Sequence, residues 1–207
     1  MTVSPPEAGP QPAGAGGAAP AMGRLVDRAG PALHALALRI AGTASDAHDV
    51  LEQTFIEAWE RNPETTAEAS FVALARRCRD LALVRSGRRP IGRVRLRTMR
   101  APPSGRGTAA LDLDAARAAV LRALASLAPA ERLALDLVGF EGYDVTDLGT
   151  RAGPGRAATR ADLRRAIAAL PRLAPVTALL ALSVPPAPLD SSLGRRLLAA
   201  ARRRAHS

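Results

Sequence analysis

Apolar residues recur at three- and four-residue spacing along most of this chain, the pattern of amphipathic α-helices rather than of strands. Residues 25–41, 45–59 and 71–85 each carry one apolar stripe. The pattern returns over residues 111–127, 129–140 and 156–170, after an interval without such a stripe. We therefore predict an all-α fold of two small helical modules, a three-helix bundle over residues 23–86 and a second module over residues 111–171.

Proline and glycine set the boundaries of these modules. Residues 1–22 are mostly Pro, Ala and Gly, so we predict that they are disordered. Residues 87–110 combine Pro and Gly with Arg, which predicts a flexible basic linker. Residues 172–207 contain an apolar stretch, a Pro-rich break and a basic helix. We expect a solvated tail there; the alternatives are a docking helix that folds back on a module and an arm for acidic surfaces.

Charge is segregated along the chain. All 29 basic side chains are Arg, and residues 76–106 hold eleven of them with a single acid, Asp80. Residues 44–68 hold seven acids and one Arg. This separation predicts two kinds of partner, an anionic polymer for the basic segment and a basic protein surface for the acidic one.

Several classes of protein are disfavoured by composition. Cys78 is the single cysteine, which excludes an internal disulfide and a multi-cysteine metal site. His34, His48 and His206 are not spaced for a metal site or a catalytic triad, so we predict no enzyme, cofactor, metal or small-molecule substrate. The sequence shows no secretory signal and no apolar stretch of about 20 residues, so we predict a cytoplasmic protein without membrane insertion.

The acidic segment carries the most specific motif. Residues 46–59 read Asp-Ala-His-Asp-Val-Leu-Glu-Gln-Thr-Phe-Ile-Glu-Ala-Trp, in which Leu51, Phe55, Ala58 and Trp59 form an apolar stripe. Ser45 or Asp46 is suited to cap the helix. The motif resembles the polymerase-binding helix in region 2 of extracytoplasmic-function (ECF) sigma factors of the sigma-70 family, with His48 in place of Glu and the order of Glu52 and Gln53 exchanged.

The second module resembles region 4 of the same family. Residues 127–132 (Leu-Ala-Pro-Ala-Glu-Arg), 140–142 (Phe-Glu-Gly) and 163–166 (Leu-Arg-Arg-Ala) occur in the family's order. A short helix after Gly142, a glycine turn and an Arg-rich helix over residues 156–170 form the helix-turn-helix pattern. Residues 79–83 resemble the family's Arg-Asn-x-Ala-(apolar) motif, but the usual Trp after Phe71 is missing.

The resemblance implies promoter-specific transcription initiation, with core RNA polymerase, promoter DNA and, as a further candidate, an anti-sigma factor as partners. It implies that the acidic helix binds polymerase through Asp46, Asp49, Glu52, Gln53 and Glu57. The basic face of residues 71–85 would meet the minus-ten region through Arg76, Arg77, Arg79 and Arg85. Region 4 would read the minus-thirty-five region through Arg156, Thr159, Arg160 and Arg164.

Two departures keep alternatives open. Asp162 stands where the family usually has Arg; we expect it to pair with Arg165 and to be tolerated rather than to read bases. Together with the missing Trp, it favours a degenerate sigma-like regulator that acts mainly by binding proteins. An ordinary helix-turn-helix repressor would explain residues 111–171 but not the acidic helix.

Overall fold

The computed structural model describes residues 15–61, 71–88, 112–146, 148, 158–171, 176–189 and 191–205. Within these residues the protein has eight helices and no strand, so the predicted all-α fold is confirmed. The helices are α1 (Ala15–Ala41), α2 (Ala44–Arg61), α3 (Phe71–Arg85), α4 (Leu113–Ala125), α5 (Pro129–Gly139), α6 (Arg160–Ala169), α7 (Val176–Ser183) and α8 (Ser191–Ala205).

The first three helices pack against one another as a bundle. The predicted stripe of α2 is buried through Leu51, Phe55 and Trp59. In the apolar stripe of α3, Phe71, Leu74 and Cys78 are buried, whereas Val84, which continues the same three- and four-residue spacing, is 63% exposed. The apolar stripe of α3 therefore ends before its last turn.

Local signals fix the ends of the next helices. Asp112 caps α4 by accepting from the N–H groups of Asp114 and Ala115. Pro129 occupies the first turn of α5, where its missing N–H costs no hydrogen bond. Beyond α5, Gly142 adopts a φ of 73°, a left-handed conformation that favours glycine. The predicted break after residue 140 is thus confirmed.

The C-terminal region is the largest departure from the sequence-based expectation. α7 packs against α1, α3 and α4, and α8 packs against α1 and α2. Their leucines are buried, among them Leu179, Leu180, Leu182, Leu193 and Leu197. The expected solvated tail is therefore wrong for these helices, and the docking alternative describes them. The reason is physical: residues 176–183 contain no charged side chain, so exposing α7 to water would be costly.

One boundary also differs from the prediction. α1 begins at Ala15, so residues 15–22, assigned to the N-terminal segment, form its first turns. Residues 1–14 and most of the predicted linker, 89–110, lie outside the described residues. The α1–α3 bundle and the packing of α5 on α6 are compatible with two modules, while α7 contacts helices of both. Among the described helices, none combines the length and apolar character needed to cross a membrane.

Candidate functional site

The acidic helix α2 is capped by Thr43, which the sequence analysis did not single out. The Thr43 hydroxyl accepts from the Asp46 N–H at 3.1 Å and donates to the Asp46 carboxylate at 2.7 Å. Ser45 and Asp46, the predicted caps, instead lie in the first turn. Asp46 is thereby held in one position at the positive end of the helix dipole.

Two of the α3 arginines that were predicted to bind DNA, Arg77 and Arg85, pair with acids of α2. Arg77 donates to both carboxylate oxygens of Glu57, each at 2.6 Å, a bidentate pair. The Glu57 carboxylate raises the pKa of Arg77.

A second ion-pair site lies near the other end of the same two helices. Arg85 donates to Asp46 at 2.7 Å and to Asp49 at 2.6 Å. The hydrogen bond from Arg85, followed by that from Thr43, lowers the pKa of Asp46. Because residue 57 meets 77 and residue 49 meets 85, the helices run antiparallel with their two pairs about 12 Å apart, as eight residues of helix require.

Five predicted site residues therefore satisfy one another in this conformation: Asp46, Asp49, Glu57, Arg77 and Arg85. These pairs lie at or near the surface, where water solvates the separated charges, so each pair contributes little to stability.

The outer face of α2 forms an open groove of about 550 Å³. The described residues that line it are mostly acidic and belong to α2: Asp49, Glu52, Gln53, Ile56, Glu57 and Glu60. The Gln53 side chain donates to Glu57 at 3.0 Å, and Glu52 lies 3.8 Å from Arg196 of α8. Glu60 was missed in the sequence analysis, although its spacing from residues 53, 56 and 57 places it on the same helical face.

Arg79 has a different role from the one predicted. Its guanidinium donates to the carbonyls of Gly139 and Val138, both at 2.7 Å, at the end of α5. The side chain is only 13% exposed, and burial lowers its pKa, an effect that Asp80 partly offsets. Arg79 therefore satisfies carbonyls that the end of a helix leaves without partners. Of the four arginines predicted on α3, Arg76 and Arg85 are exposed.

Asp162, the residue that departs from the expected motif, helps to form the N-terminus of α6. The Thr159 hydroxyl accepts from the Asp162 N–H at 3.2 Å, and the Asp162 carboxylate accepts from the Thr159 N–H at 2.8 Å. These reciprocal bonds form a capping box. The Thr159 hydroxyl also donates to the Asp162 carboxylate at 2.6 Å, and this bond, followed by that from the Thr159 N–H, lowers the pKa of Asp162. Asp162 also pairs with Arg165, as predicted. It is thus a structural residue of α6, and Thr159 is its N-cap.

Arg160 and Arg164 are exposed on α6, one turn apart, whereas Leu163, Ala166 and Ile167 are buried. The predicted division of α6 into a basic face and a packing face is confirmed. The helix begins at Arg160 rather than at Arg156, and Arg156 lies outside the described residues. Most of the short helix predicted to precede it also lies outside them.

The rings of His34 and His48 stack between α1 and α2, and His34 also contacts the segment between α7 and α8. The rings of His34 and His48 lie 4.9 Å apart, and His34 Nδ1 donates to the Pro188 carbonyl at 3.1 Å. Burial, followed by the nearby His48, lowers the pKa of His34. Within the described part of the chain, no group of three or more His, Cys, Asp or Glu side chains is placed to hold a metal ion.

No protein-family model, curated protein or solved structure matches this chain. The functional assignment therefore depends on the motifs of residues 46–59 and 127–166 and on the two surfaces described above, the acidic face of α2 and the basic face of α6.

Proposed function

We propose that this protein is an ECF-type sigma factor that acts in the cytoplasm, binds core RNA polymerase and directs promoter-specific transcription initiation. The observation that carries the proposal is the outer face of α2. The apolar stripe of α2 is buried in the bundle on the opposite side of the helix, while the acidic residues of the sigma-like motif line an open groove. A basic surface of the polymerase is the complementary partner.

In this proposal α6 binds the upstream promoter element. A helix with Arg160 and Arg164 on one exposed face fits the major groove, with Arg160 near base edges and Arg164 near the phosphates. In the same proposal Arg76 binds the downstream promoter element. An anti-sigma factor remains a further candidate partner.

Polymerase binding is tested by reversing charge in the groove. Asp49→Lys with Glu52→Lys should abolish co-purification with core polymerase, because two negative charges on the exposed face become positive. A matched control reverses Asp27 and Asp114, exposed acids of α1 and α4 that lie outside the groove. Circular dichroism of both variants should match the wild type. Equal recovery of polymerase with both double variants would count against the sigma assignment.

Promoter reading is tested with Arg160→Ala in a selection from a promoter library. One bidentate arginine contact to guanine discriminates by about 1–3 kcal/mol, so its loss should remove the preference for one upstream position. Arg122→Ala, an exposed arginine of α4, is the matched control and should retain the motif.

A second candidate function is favoured by the arginines of α3. Because Arg77 and Arg85 are paired and Arg79 contacts carbonyls, the chain in this conformation offers few cations to DNA from α3. A sigma-like regulator acting mainly through protein binding would have this property. This second function becomes the preferred one if the wild type selects no upstream motif and Arg160→Ala behaves as the wild type does.

A further inference from the structure

The two helical modules meet at a joint between α3 and the end of α5. Besides the two bonds from Arg79, Arg88 pairs with Glu141 at 2.9 Å. The Leu83 side chain lies against Gly142, where an added Cβ would come within 3.0 Å of it. Arg79 and Arg88 are therefore used between the modules rather than left for a phosphate backbone.

α7 packs against this joint through its apolar side chains. The Leu180 side chain lies directly over Gly139, the same residue whose carbonyl accepts from Arg79. A Cβ built on Gly139 would lie 2.7 Å from Leu180 Cδ1, so Gly139 lets this leucine pack directly against the α5 backbone. Since α7 also packs on α1, α3 and α4, it bridges the two modules.

α8 extends the same connection to the acidic helix. Leu193 and Leu197 are buried where α8 packs on α1 and α2, and Arg196 lies 3.8 Å from Glu52 in the groove. The segment between α7 and α8 is fixed to α1, because the Ala187 N–H donates to the Pro31 carbonyl at 3.2 Å. The C-terminal region thus contacts both the joint and the candidate polymerase-binding face.

We propose that α7 and α8 form an intramolecular clasp that holds the two modules closed and withholds Arg79, Arg88 and Glu52 from DNA and polymerase. This inference deepens the proposed function, on which its regulatory meaning rests. Displacing the clasp separates the modules, exposes the arginines of the joint and frees the α2 groove from the positive charge of α8. The clasp acts by competition within one chain, so any factor that captures α7 or α8 activates the protein.

The inference is tested in the full chain by variants that displace the clasp and leave the joint arginines in place. Gly139→Leu should expel Leu180 by direct overlap, and Leu180→Ala should weaken the same contact without overlap. Gly194→Leu is the matched control, because a Cβ at Gly194 meets nothing within 4 Å. Arg196→Glu places a negative charge beside Glu52 on an exposed part of α8 and tests that helix without disturbing the core.

Module separation is measured from spin or fluorescent labels on Val84→Cys of α3 and Leu121→Cys of α4, both exposed, with Cys78→Ala in every variant. Gly139→Leu and Leu180→Ala should lengthen this distance, while Gly194→Leu should not. Circular dichroism confirms that the helices persist. An unchanged distance in both clasp variants overturns the inference.

Binding is measured on the same proteins. The clasp variants should bind nonspecific duplex DNA about tenfold more tightly at low salt. Their salt slope should be steeper by about one to two, because each new phosphate contact contributes about 0.9. Arg196→Glu should raise affinity for core polymerase by severalfold. Longer distances with unchanged affinity for both ligands overturn the inhibitory role. Tighter DNA binding without polymerase binding by any variant supports the clasp and refutes the proposed function.

Discussion

The contact of Arg79 with the end of α5 gives the sharpest prediction about this fold. Arg79→Ala removes two hydrogen bonds from a charged donor to the carbonyls of Val138 and Gly139. Such bonds contribute about 1.5–3 kcal/mol each, and the cost of burying the guanidinium offsets part of the sum. We therefore expect the free energy of unfolding to fall by about 2–4 kcal/mol.

The matched control is Arg76→Ala, three residues earlier on the same helix. Arg76 is exposed, so its replacement should change the free energy of unfolding by less than about 0.5 kcal/mol. Urea denaturation followed by circular dichroism separates the two outcomes. With a slope of about 2 kcal/mol per molar urea, the midpoint of Arg79→Ala should fall by about 1–2 M relative to the control.

The same pair of variants decides between a structural and a DNA-binding role for Arg79. If Arg79 contacts phosphate rather than α5, Arg79→Ala would unfold at the same urea concentration as Arg76→Ala and would bind DNA less tightly than the wild type. Equal urea midpoints would therefore refute the reasoning from the two carbonyl contacts.

Two further predictions concern a helix cap and a buried histidine. Thr159→Ala should cost about 1 kcal/mol in urea denaturation because α6 loses its N-cap, whereas Thr159→Asn should retain most of the stability; equal midpoints would contradict the capping role of Thr159. The pKa of His34 is lowered by burial and by His48, so the stability contributed by neutral His34 is complete above its ordinary pKa of about 6.5 and is lost as pH falls through the folded pKa. Between about pH 7 and pH 5, the midpoint temperature of thermal unfolding should therefore fall further for the wild type than for His34→Gln, whose amide can donate to the Pro188 carbonyl. Equal falls in the two proteins would exclude this linkage.

The amino-acid sequence by itself determined the helices and their buried faces. The three- and four-residue spacing of Leu51, Phe55 and Trp59 placed one stripe of α2 in the core, and residues 163–170 were divided correctly into packing and basic faces. Gly142 and Pro129 marked the end of α5 and its beginning. These features depend on a few neighbouring residues, so their signals lie within one or two turns of the chain.

Only the tertiary structure decided which charged side chains are available to a partner and which are already paired within the chain. An arginine on the polar face of α3 has the same spacing whether it meets water, phosphate or another helix. Arg77 meets an acid 20 residues away, Arg85 meets acids 36 and 39 residues away, and Arg79 meets a carbonyl 60 residues away. The docking of α7 and α8 likewise depends on surfaces contributed by α1, α2, α3 and α4, although the uncharged run 176–183 indicated that it needed cover. Tertiary packing determines contacts between residues so distant in the chain, because local periodicity indicates which face of a helix is polar but not what that face contacts.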